Sequence, residues 1–329
     1  MTSVVRAKIT GTGAAVPEKI LTNFDLEKII DTSDEWIVTR TGIRERRIAS
    51  EGEYTSTFAT LAAERAMEMA GVTADQIDLI VLATITGDYP WPATACIVQG
   101  NIKAVNAVAF DVSAACSGFV YALSVASNFI RTGSAKKALV IGAEVLTRIM
   151  DYSDRNTCLL FGDGSGAVVL EAAEGEEGVC DALIKSDGNY VDLLYQPGYG
   201  SRNPGARAKT DDHLAYLNMQ GNEIFKLAVR AMEEAAVKVL EMNGLQESDL
   251  SLLIPHQANK RIIDAIAKRL ALPDEKVYVN LHNYGNTSAA SIPIALDEAN
   301  RAGRISKGDL VMFVAFGGGL TWGAVPVRW

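Results

Sequence analysis

Residues 62–82 read AAERAMEMAGVTADQIDLIVL, and residues 235–255 read AAVKVLEMNGLQESDLSLLIP. Set side by side without gaps, both begin as an Ala-rich amphipathic helix. One helix stops at Met69-Ala70-Gly71 and the other at Met242-Asn243-Gly244. A glycine there supplies the left-handed residue that commonly closes a helix. A polar loop follows, then a short unbroken run of Leu, Ile and Val, the pattern of a strand covered on both faces. A second pair keeps the same order. FGDGSGAVVLE starts at Phe161 and FGGGLTWGAVPV at Phe316, each after an apolar run (ALVIGAEVL, 138–146; DLVMFVAFG, 309–317). Any two α/β segments share some pattern, but a shared order of helix, glycine, strand and Gly-rich hairpin points to duplication. The copies lie roughly 155–175 positions apart, too far for a solenoid period. Two similar α/β halves packed face to face are predicted, divided as 1–174 and 175–329.

Composition agrees with a large folded α/β protein. The chain has 329 residues, 48% of them hydrophobic and 22% charged, with a formal net charge of −9. That balance is ordinary for a globular chain and excludes disorder as the main state. A sequence pI near 5.0 argues against nucleic acid as the principal partner, because phosphate binding wants a basic face. No apolar run reaches the ~18 residues of a membrane span. MTSVVRAKITGTG lacks the basic-then-apolar order of a secretory signal. Cys96, Cys116, Cys158 and Cys180 form no CxxC pair and no metal spacing, which suits a reduced cytoplasm. Strands are expected at 77–85, 105–112 and 277–280 among others. Residues 187–218, rich in Gly, Asn, Pro and Asp, read as an irregular surface insertion.

VNAVAFDVSAACSGFVYALSVASNFIRTG (105–133) joins a buried strand to a helix through a turn of small residues. Cys116 sits in that turn, at the N-terminal end of the helix. Unpaired amides and the helix dipole there favour a thiolate and predict a lowered pKa. The layout resembles a nucleophile elbow. An arbitrary free cysteine is usually a buried structural thiol. That reading is kept for Cys96, Cys158 and Cys180, and the strand–turn–helix context sets Cys116 apart.

Three histidines are present. His213 lies in the polar insertion and reads as a surface residue. His256 follows the apolar run SLLIP, at a strand end of the kind where α/β sheets place ligands. His282 lies in NLHNYGNTSAAS, and position alone favours His256 without excluding it. Asn286 sits on a turn before a helix of small residues, much as Cys116 does, although Asn at such a place is often only a turn residue or cap. Gly317-Gly318-Gly319 is by itself a hairpin turn; beside Cys116 it offers a second amide donor for an oxyanion hole.

DVSAACSGF, PHQAN, NYGNTSAAS and AFGGGLTWGA, in this order, closely resemble the β-ketoacyl-[acyl-carrier-protein] synthase III family of thiolase-fold condensing enzymes. GTGAAVPE and TSDEWIVTRTGIRERR match as well, so the resemblance runs along essentially the whole chain. It implies a thiolase-like α/β fold, two duplicated halves packed as a five-layer αβαβα sandwich. It also implies a Cys-His-Asn set of Cys116, His256 and Asn286, with His282 a bystander. Cys116 would take a short acyl group from acyl-CoA, with the amides of Cys116 and Gly318 as oxyanion hole. His256 and Asn286 would donate hydrogen bonds to the enolate formed as malonyl-ACP loses CO2. Neither metal nor redox cofactor is expected, acyl-CoA being a substrate.

The same resemblance implies CoA binding by Thr32, Trp36, Arg40, Arg155 and Asn222. Without it, Trp36 would read as core packing and Arg40 as a surface ion pair. Trp91 falls where a Phe commonly lines the acyl pocket in the acetyl-using type, so a short-chain primer is expected. Lys260, Arg261, Lys268 and Arg269 form a basic patch on an acidic chain, a docking site for acyl carrier protein or an ordinary solvated helix face. A cytoplasmic homodimer is implied, acting in fatty acid biosynthesis. Two other readings stand beside it. One is a relative passing acyl groups to another acceptor in secondary metabolism. The other is a non-catalytic acyl-ACP-binding scaffold, which the intact Cys116, His256 and Asn286 set disfavours.

Overall fold

The computed structural model describes residues 5–204 and 212–329. The first half runs β1 (Val5–Ala15), β2 (Ile20–Thr22), α1 (Asn23–Leu26), α2 (Asp34–Thr41), β3 (Glu45–Arg47), α3 (Thr55–Ala70), β4 (Leu79–Ala83) and α4 (Thr94–Ile102). It continues through β5 (Val108–Val112), α5 (Gly118–Arg131), β6 (Lys137–Val145) and β7 (Asp163–Glu174). Then come β8 (Gly178–Val179), β9 (Leu183–Ser186), β10 (Leu194–Tyr195), β11 (Asn218–Met219), α6 (Gly221–Met242) and β12 (Leu252–Pro255). The chain ends with α7 (Lys260–Arg269), α8 (Leu281–Tyr284), α9 (Ser291–Arg301), β13 (Leu310–Gly317) and β14 (Thr321–Arg328).

Two sheets carry the fold. The first has the order β1-β7-β6-β4-β5, with β4 parallel to β5 and β6, and β7 antiparallel to β6 and β1. In the second, β12 runs parallel to β13, β14 antiparallel to β13, and β8 and β9 both pair with β14. Successive residues of a strand face opposite ways, and both directions are apolar here. Ile80 and Leu82 meet Phe58, Ala62 and Val98 of the α3–α4 layer. Val81 turns inward, toward Phe119 and Leu123 of α5 and Ile292 of α9. Across that central layer Ile254 and Phe313 face the same helices, while Leu253 and Met312 meet Met232 and Ile263 of α6 and α7. The result is five layers, αβαβα, with α5 and α9 at the centre. Phe119 and Phe313 meet edge-on with centroids 6.2 Å apart. Removing a ring as deeply buried as Phe313 costs about 3–5 kcal/mol.

The duplication is visible in register. Gly71 and Gly244, Leu79 and Leu252, Ala115 and Ser288, Lys137 and Leu310 are all separated by the same number of positions. One element is not copied. The strand expected at 277–280 is a single bridge, Leu253 to Val277, in the place that β5 fills in the first half. The chain leaves the sheet because the Asn280 amide donates to Gln257 Oε1 at 3.0 Å instead of to a neighbouring strand. The insertion read over 187–218 holds, in its described residues, short turns and the β10–β11 pair, while 205–211 lie outside the described residues. Close approach of α9 needs glycine: a Cβ on Gly142 would lie 2.2 Å from the Ala289 carbonyl oxygen.

Candidate active site

β5 leads into a one-turn 3-10 segment, Ala115–Ser117, that feeds α5. Ala115 takes φ +45°, a left-handed conformation rare for a residue with a side chain. The turn is clamped from the other half. Thr321 Oγ1 donates to the Ala114 carbonyl at 2.9 Å, and Ser117 Oγ lies 2.7 Å from that Thr321 hydroxyl. A Cβ on Gly317 would meet the Cys116 amide nitrogen at 2.6 Å, so β13 ends directly against the elbow. Cys116 borders a cavity of about 300 Å³, walled by Ile85, Leu146, Phe161, Leu194, Leu217, Ser288, Gly318 and Thr321.

The lowered thiol pKa expected from the helix N-terminus is not what the site gives. Burial pushes the Cys116 thiol up to about 12, opposed by a hydrogen bond from the Ser288 side chain and reinforced by the Glu144 carboxylate. Desolvation penalises the thiolate more than the turn's donors favour it. The sequence placed Cys116 correctly at a helix start but carried no measure of how dry that start is.

His256 follows β12, its amide donating to the Val314 carbonyl at 2.8 Å. The ring is buried, and burial pushes its pKa down to about 3, so the imidazole is neutral. Nδ1 lies 2.7 Å from Ser291 Oγ. That oxygen also accepts the Gln257 amide at 3.4 Å. Asn286 is buried and bridged to the loop before β7. Its amide donates to the Leu160 carbonyl at 2.8 Å, and its carbonyl accepts from Gly162 at 3.0 Å. Its Oδ1 accepts the Ser288 amide at 2.9 Å, leaving the carboxamide NH2 free to donate. The segment 286–291 carries groups that serve all three: Ser288 lines the same cavity as Cys116, Asn286 Oδ1 accepts the Ser288 amide, and Ser291 lies against His256. Neither His256 nor Asn286 is among the residues that border the cavity lined by Cys116, Ser288 and Gly318. His282 lies outside, half-buried on α8, and His213 is exposed.

Trp36, Arg40 and Arg155 come together at the surface. The Arg155 guanidinium lies 4.6 Å and that of Arg40 5.5 Å from the Trp36 ring centroid. Thr32 Oγ1 and Arg155 Nε are buried without a hydrogen-bond partner, polar atoms that a ligand could satisfy. Asn222 is exposed on the first turn of α6 and does not border the Cys116 cavity. Trp91 is not there either: at 83% exposure it stands in solvent on this single chain, before α4. Lys260, Arg261, Lys268 and Arg269 are all exposed on α7. Lys260 is paired with Asp264, and the Arg261 guanidinium lies 5.0 Å from the Phe225 ring centroid.

Several contributors were not singled out from sequence. The insertion read as surface supplies Leu194, Tyr195, Gln196 and Leu217 to the cavity. Ser288 and Ser291 lay inside a quoted motif but look like turn residues. Glu144 is fully buried in β6 beside the thiol, hidden in the apolar run ALVIGAEVL. Arg46 is fully buried, donates to the Leu159 carbonyl at 2.5 Å and so anchors the loop that bridges Asn286.

Comparison with known proteins agrees with this geometry. The family described as 3-Oxoacyl-[acyl-carrier-protein (ACP)] synthase III matches residues 110–188, and its C-terminal part matches residues 240–329. The β-ketoacyl-[acyl-carrier-protein] synthase III of Caldanaerobacter subterraneus subsp. tengcongensis is 52% identical over 329 residues, covering 100% of this chain and 99% of that one. The crystal structure of the 3-oxoacyl-[acyl-carrier-protein] synthase III of Aquifex aeolicus VF5 superposes with TM-score 0.92 at 51% identity, covering 98% and 100% of the two chains. That from Thermus thermophilus gives TM-score 0.92 at 46% identity over 98% and 99%. With half its residues shared along its whole length and the same five-layer fold, the chain belongs to the β-ketoacyl-[acyl-carrier-protein] synthase III family of thiolase-fold condensing enzymes.

Proposed function

We propose that Cys116, His256 and Asn286 carry the family's reaction in this chain. The chain is an acyltransferase-type condensing enzyme that initiates type II fatty acid biosynthesis. Cys116 takes a short acyl group from acyl-CoA, and the Cys116 and Gly318 amides bind the tetrahedral oxyanion. Malonyl-ACP then loses CO2. The enolate oxygen that results accepts hydrogen bonds from His256 Nε2–H and the Asn286 NH2, each worth about 3 kcal/mol in the transition state. The carbanion attacks acyl-Cys116 to give 3-oxoacyl-ACP. A neutral donor histidine is what this step needs, because a cation would bind the malonyl carboxylate as well as the enolate. The reading is supported by the 286–291 segment, which puts Ser288 on the Cys116 cavity, caps it with the Asn286 carboxamide and sets Ser291 against the His256 ring. Thioester exchange followed by decarboxylation balances without redox or metal chemistry, so acyl-CoA is substrate and no cofactor is invoked.

The rest of the reading concerns partners. Trp36, Arg40, Arg155 and Thr32 hold the CoA nucleotide at the surface, with Asn222 near the pantetheine arm. The exposed cations of α7 receive the acidic carrier protein, in a chain that has no need of nucleic acid. β5 is an open sheet edge with Val105 78% and Val108 61% exposed, an aggregation liability unless covered. A second copy covers it and would bring Trp91 toward the partner's acyl pocket. Light scattering near twice 35.2 kDa is expected, and a monomer would remove that part of the reading. Residues 1–174 and 175–329 act as two halves of one cytoplasmic enzyme, and no described helix is long and apolar enough to cross a membrane.

Intact-mass measurement after acetyl-CoA tests the core of the proposal. A single acetyl adduct, absent in Cys116→Ser, is expected. An adduct only with longer or branched acyl-CoA would overturn the short primer, and none with any acyl-CoA would leave the scaffold reading.

A further inference from the structure

Arg46 is none of the groups assigned to the reaction, yet it is one of the largest side chains that the fold buries completely. It stands on β3, opposite Leu21 of β2. Its Nη1 donates to Asn23 Oδ1 at 2.8 Å and to the Leu21 carbonyl at 3.3 Å, and its Nη2 donates to the Leu159 carbonyl at 2.5 Å. All three acceptors are neutral. An unpaired buried charge is costly, and an apolar side chain of similar length would fill the space at less cost. What an apolar chain lacks is the planar fork, which holds acceptors from separate segments at once. The guanidinium keeps its charge at neutral pH, although burial pulls its pKa down to about 10.

The segment held through Leu159 bears on the site. It meets Asn286 through an isolated parallel bridge, Phe161 to Asn286, which stands outside the named strands. The Leu160 carbonyl and the Gly162 amide make the two hydrogen bonds of that bridge, at 2.8 and 3.0 Å. With no ladder to fix its place, the bridge depends on what anchors its ends. The Arg46 stem also lies against both sides of it: a Cβ on Gly162 would come within 3.0 Å, and one on Gly285 within 3.3 Å, of the Arg46 Cβ. On the other side Asn23, which accepts from Arg46, donates to Asp34 Oδ1 and to the Ile43 carbonyl, both at 2.8 Å. Asn23 and Asp34 thus seat the guanidinium on the α1–α2 frame.

We propose that Arg46 is a positioning residue for condensation: it holds the Leu159 carbonyl, so sets the Asn286 backbone, and so aims the carboxamide at the enolate oxygen. The Asn286 side chain is itself tied down, since its Oδ1 accepts the Ser288 amide at 2.9 Å. Donors of this kind act only when aligned before charge develops, and a misplacement on the order of 1 Å can cost about 100-fold. Acylation draws on other supports. The Cys116 elbow is held by the Thr321 hydroxyl and by the close approach of Gly317, from β14 and β13. Arg46 therefore serves one half-reaction and not the other. The inference rests on Asn286 being a donor to the enolate.

The test measures the two half-reactions separately in the intact enzyme. Acetylation of Cys116 is followed at saturating acetyl-CoA by rapid quench and intact mass. Release of CO2 from malonyl-ACP is followed on enzyme already acetylated. The variants are Arg46→Met, which keeps the length without a donor, and Arg46→Lys, which keeps the charge and one donor group. Arg46→Met should acetylate within about 3-fold of the wild type and release CO2 at least about 10-fold more slowly, with Arg46→Lys between the two. In an Asn286→Ala background, Arg46→Met should cost no further CO2 release, because the group it positions is gone. Arg46→Lys is read in the same way where Arg46→Met fails to fold. Equal loss in both half-reactions, wild-type CO2 release, or a loss that adds to that of Asn286→Ala overturns the inference. Asn286→Ala alone releasing CO2 at the wild-type rate would fail the Asn286 assignment instead, whatever Arg46 does.

Discussion

Ala115 and Ser288 occupy the same point of the two duplicated halves, with φ of 45° and 48°, each heading a 3-10 turn that feeds a central helix. The backbone device is shared, but the side chains divide the labour. In the first half the residue after the strained position is Cys116. In the second half the strained residue is itself polar, and Ser288, capped by Asn286, borders the same cavity as the thiol that the first half presents.

That shared strain can be measured. A left-handed residue with a Cβ carries a cost of about 1–2 kcal/mol, which glycine avoids at the expense of unfolded-state entropy. Ala115→Gly should therefore be neutral or stabilising by up to about 1 kcal/mol, and Ala115→Val destabilising by about 1–3 kcal/mol. Urea midpoints at constant m-value report both. An unmoved midpoint for the valine variant would mean that the elbow stores no strain.

The sequence made the backbone of this site legible because its signals are local. A strand, a turn of small residues and a helix place Cys116 within eleven residues of one another's influence, and the repeat marks the second elbow at Ser288. What escaped depends on packing between halves. Nothing near Glu144 in the chain says that Thr84, Thr86 and Ser288 will converge on it, since they come from three separate segments. The expected drop in the Cys116 pKa counted the helix start but not the desolvation that outweighs it. Residues 187–218 look like solvent-facing loop by composition, and only the fold lays Leu194 and Leu217 across the cavity. Trp91, read as pocket lining, stands 83% exposed and outside the lining of the Cys116 cavity.

His256 predicts a pH signature in stability. Its folded pKa is about 3 against an ordinary value of 6.5. Between these limits the unfolded chain binds a proton that the folded chain refuses. Stability therefore falls as pH drops below 6.5, at most by about 1.4 kcal/mol per pH unit from this group. His256→Gln, neutral at every pH, should lose less stability than the wild type between neutral and mildly acid pH. Equal losses in the two proteins would mean that the ring is protonated in the fold. The same variant should slow decarboxylation by about 100-fold or more, because it displaces a donor from the enolate.

Gly317 tests the contact between the halves. A methyl group there would lie 2.6 Å from the Cys116 amide and 3.0 Å from that of Ser117, backbone atoms that cannot rotate away. Gly317→Ala should shift the elbow by some tenths of an ångström and spoil the alignment of the oxyanion donors. Acylation of Cys116 should fall by about 100-fold, the usual effect of losing one such donor. Binding of CoA, whose proposed nucleotide site is at Trp36 and Arg155, should change little. Wild-type acylation in this variant would show that the β13 terminus does not support the oxyanion hole.

Trp36 carries two arginines beside one indole, Arg155 at 4.6 Å and Arg40 at 5.5 Å from the ring centroid. Under the proposed CoA site, an adenine ring would stack on Trp36 and compete with these cations for the indole face. Stacking on an aromatic ring is worth about 1–3 kcal/mol per base, more than the ~0.5–1 kcal/mol of an exposed cation–π contact. Trp36→Ala should therefore raise the Kd for CoA by about 10-fold or more and leave the acylation rate at saturation unchanged. Arg40→Ala should weaken binding mainly at low salt, because its guanidinium is exposed and acts on phosphate through a screened field. Arg155→Ala removes a cation but keeps the indole, so its effect should be smaller than that of Trp36→Ala. Calorimetric titration of CoA into the three variants separates these effects. A Trp36→Ala enzyme that binds CoA normally would place the nucleotide elsewhere on the surface.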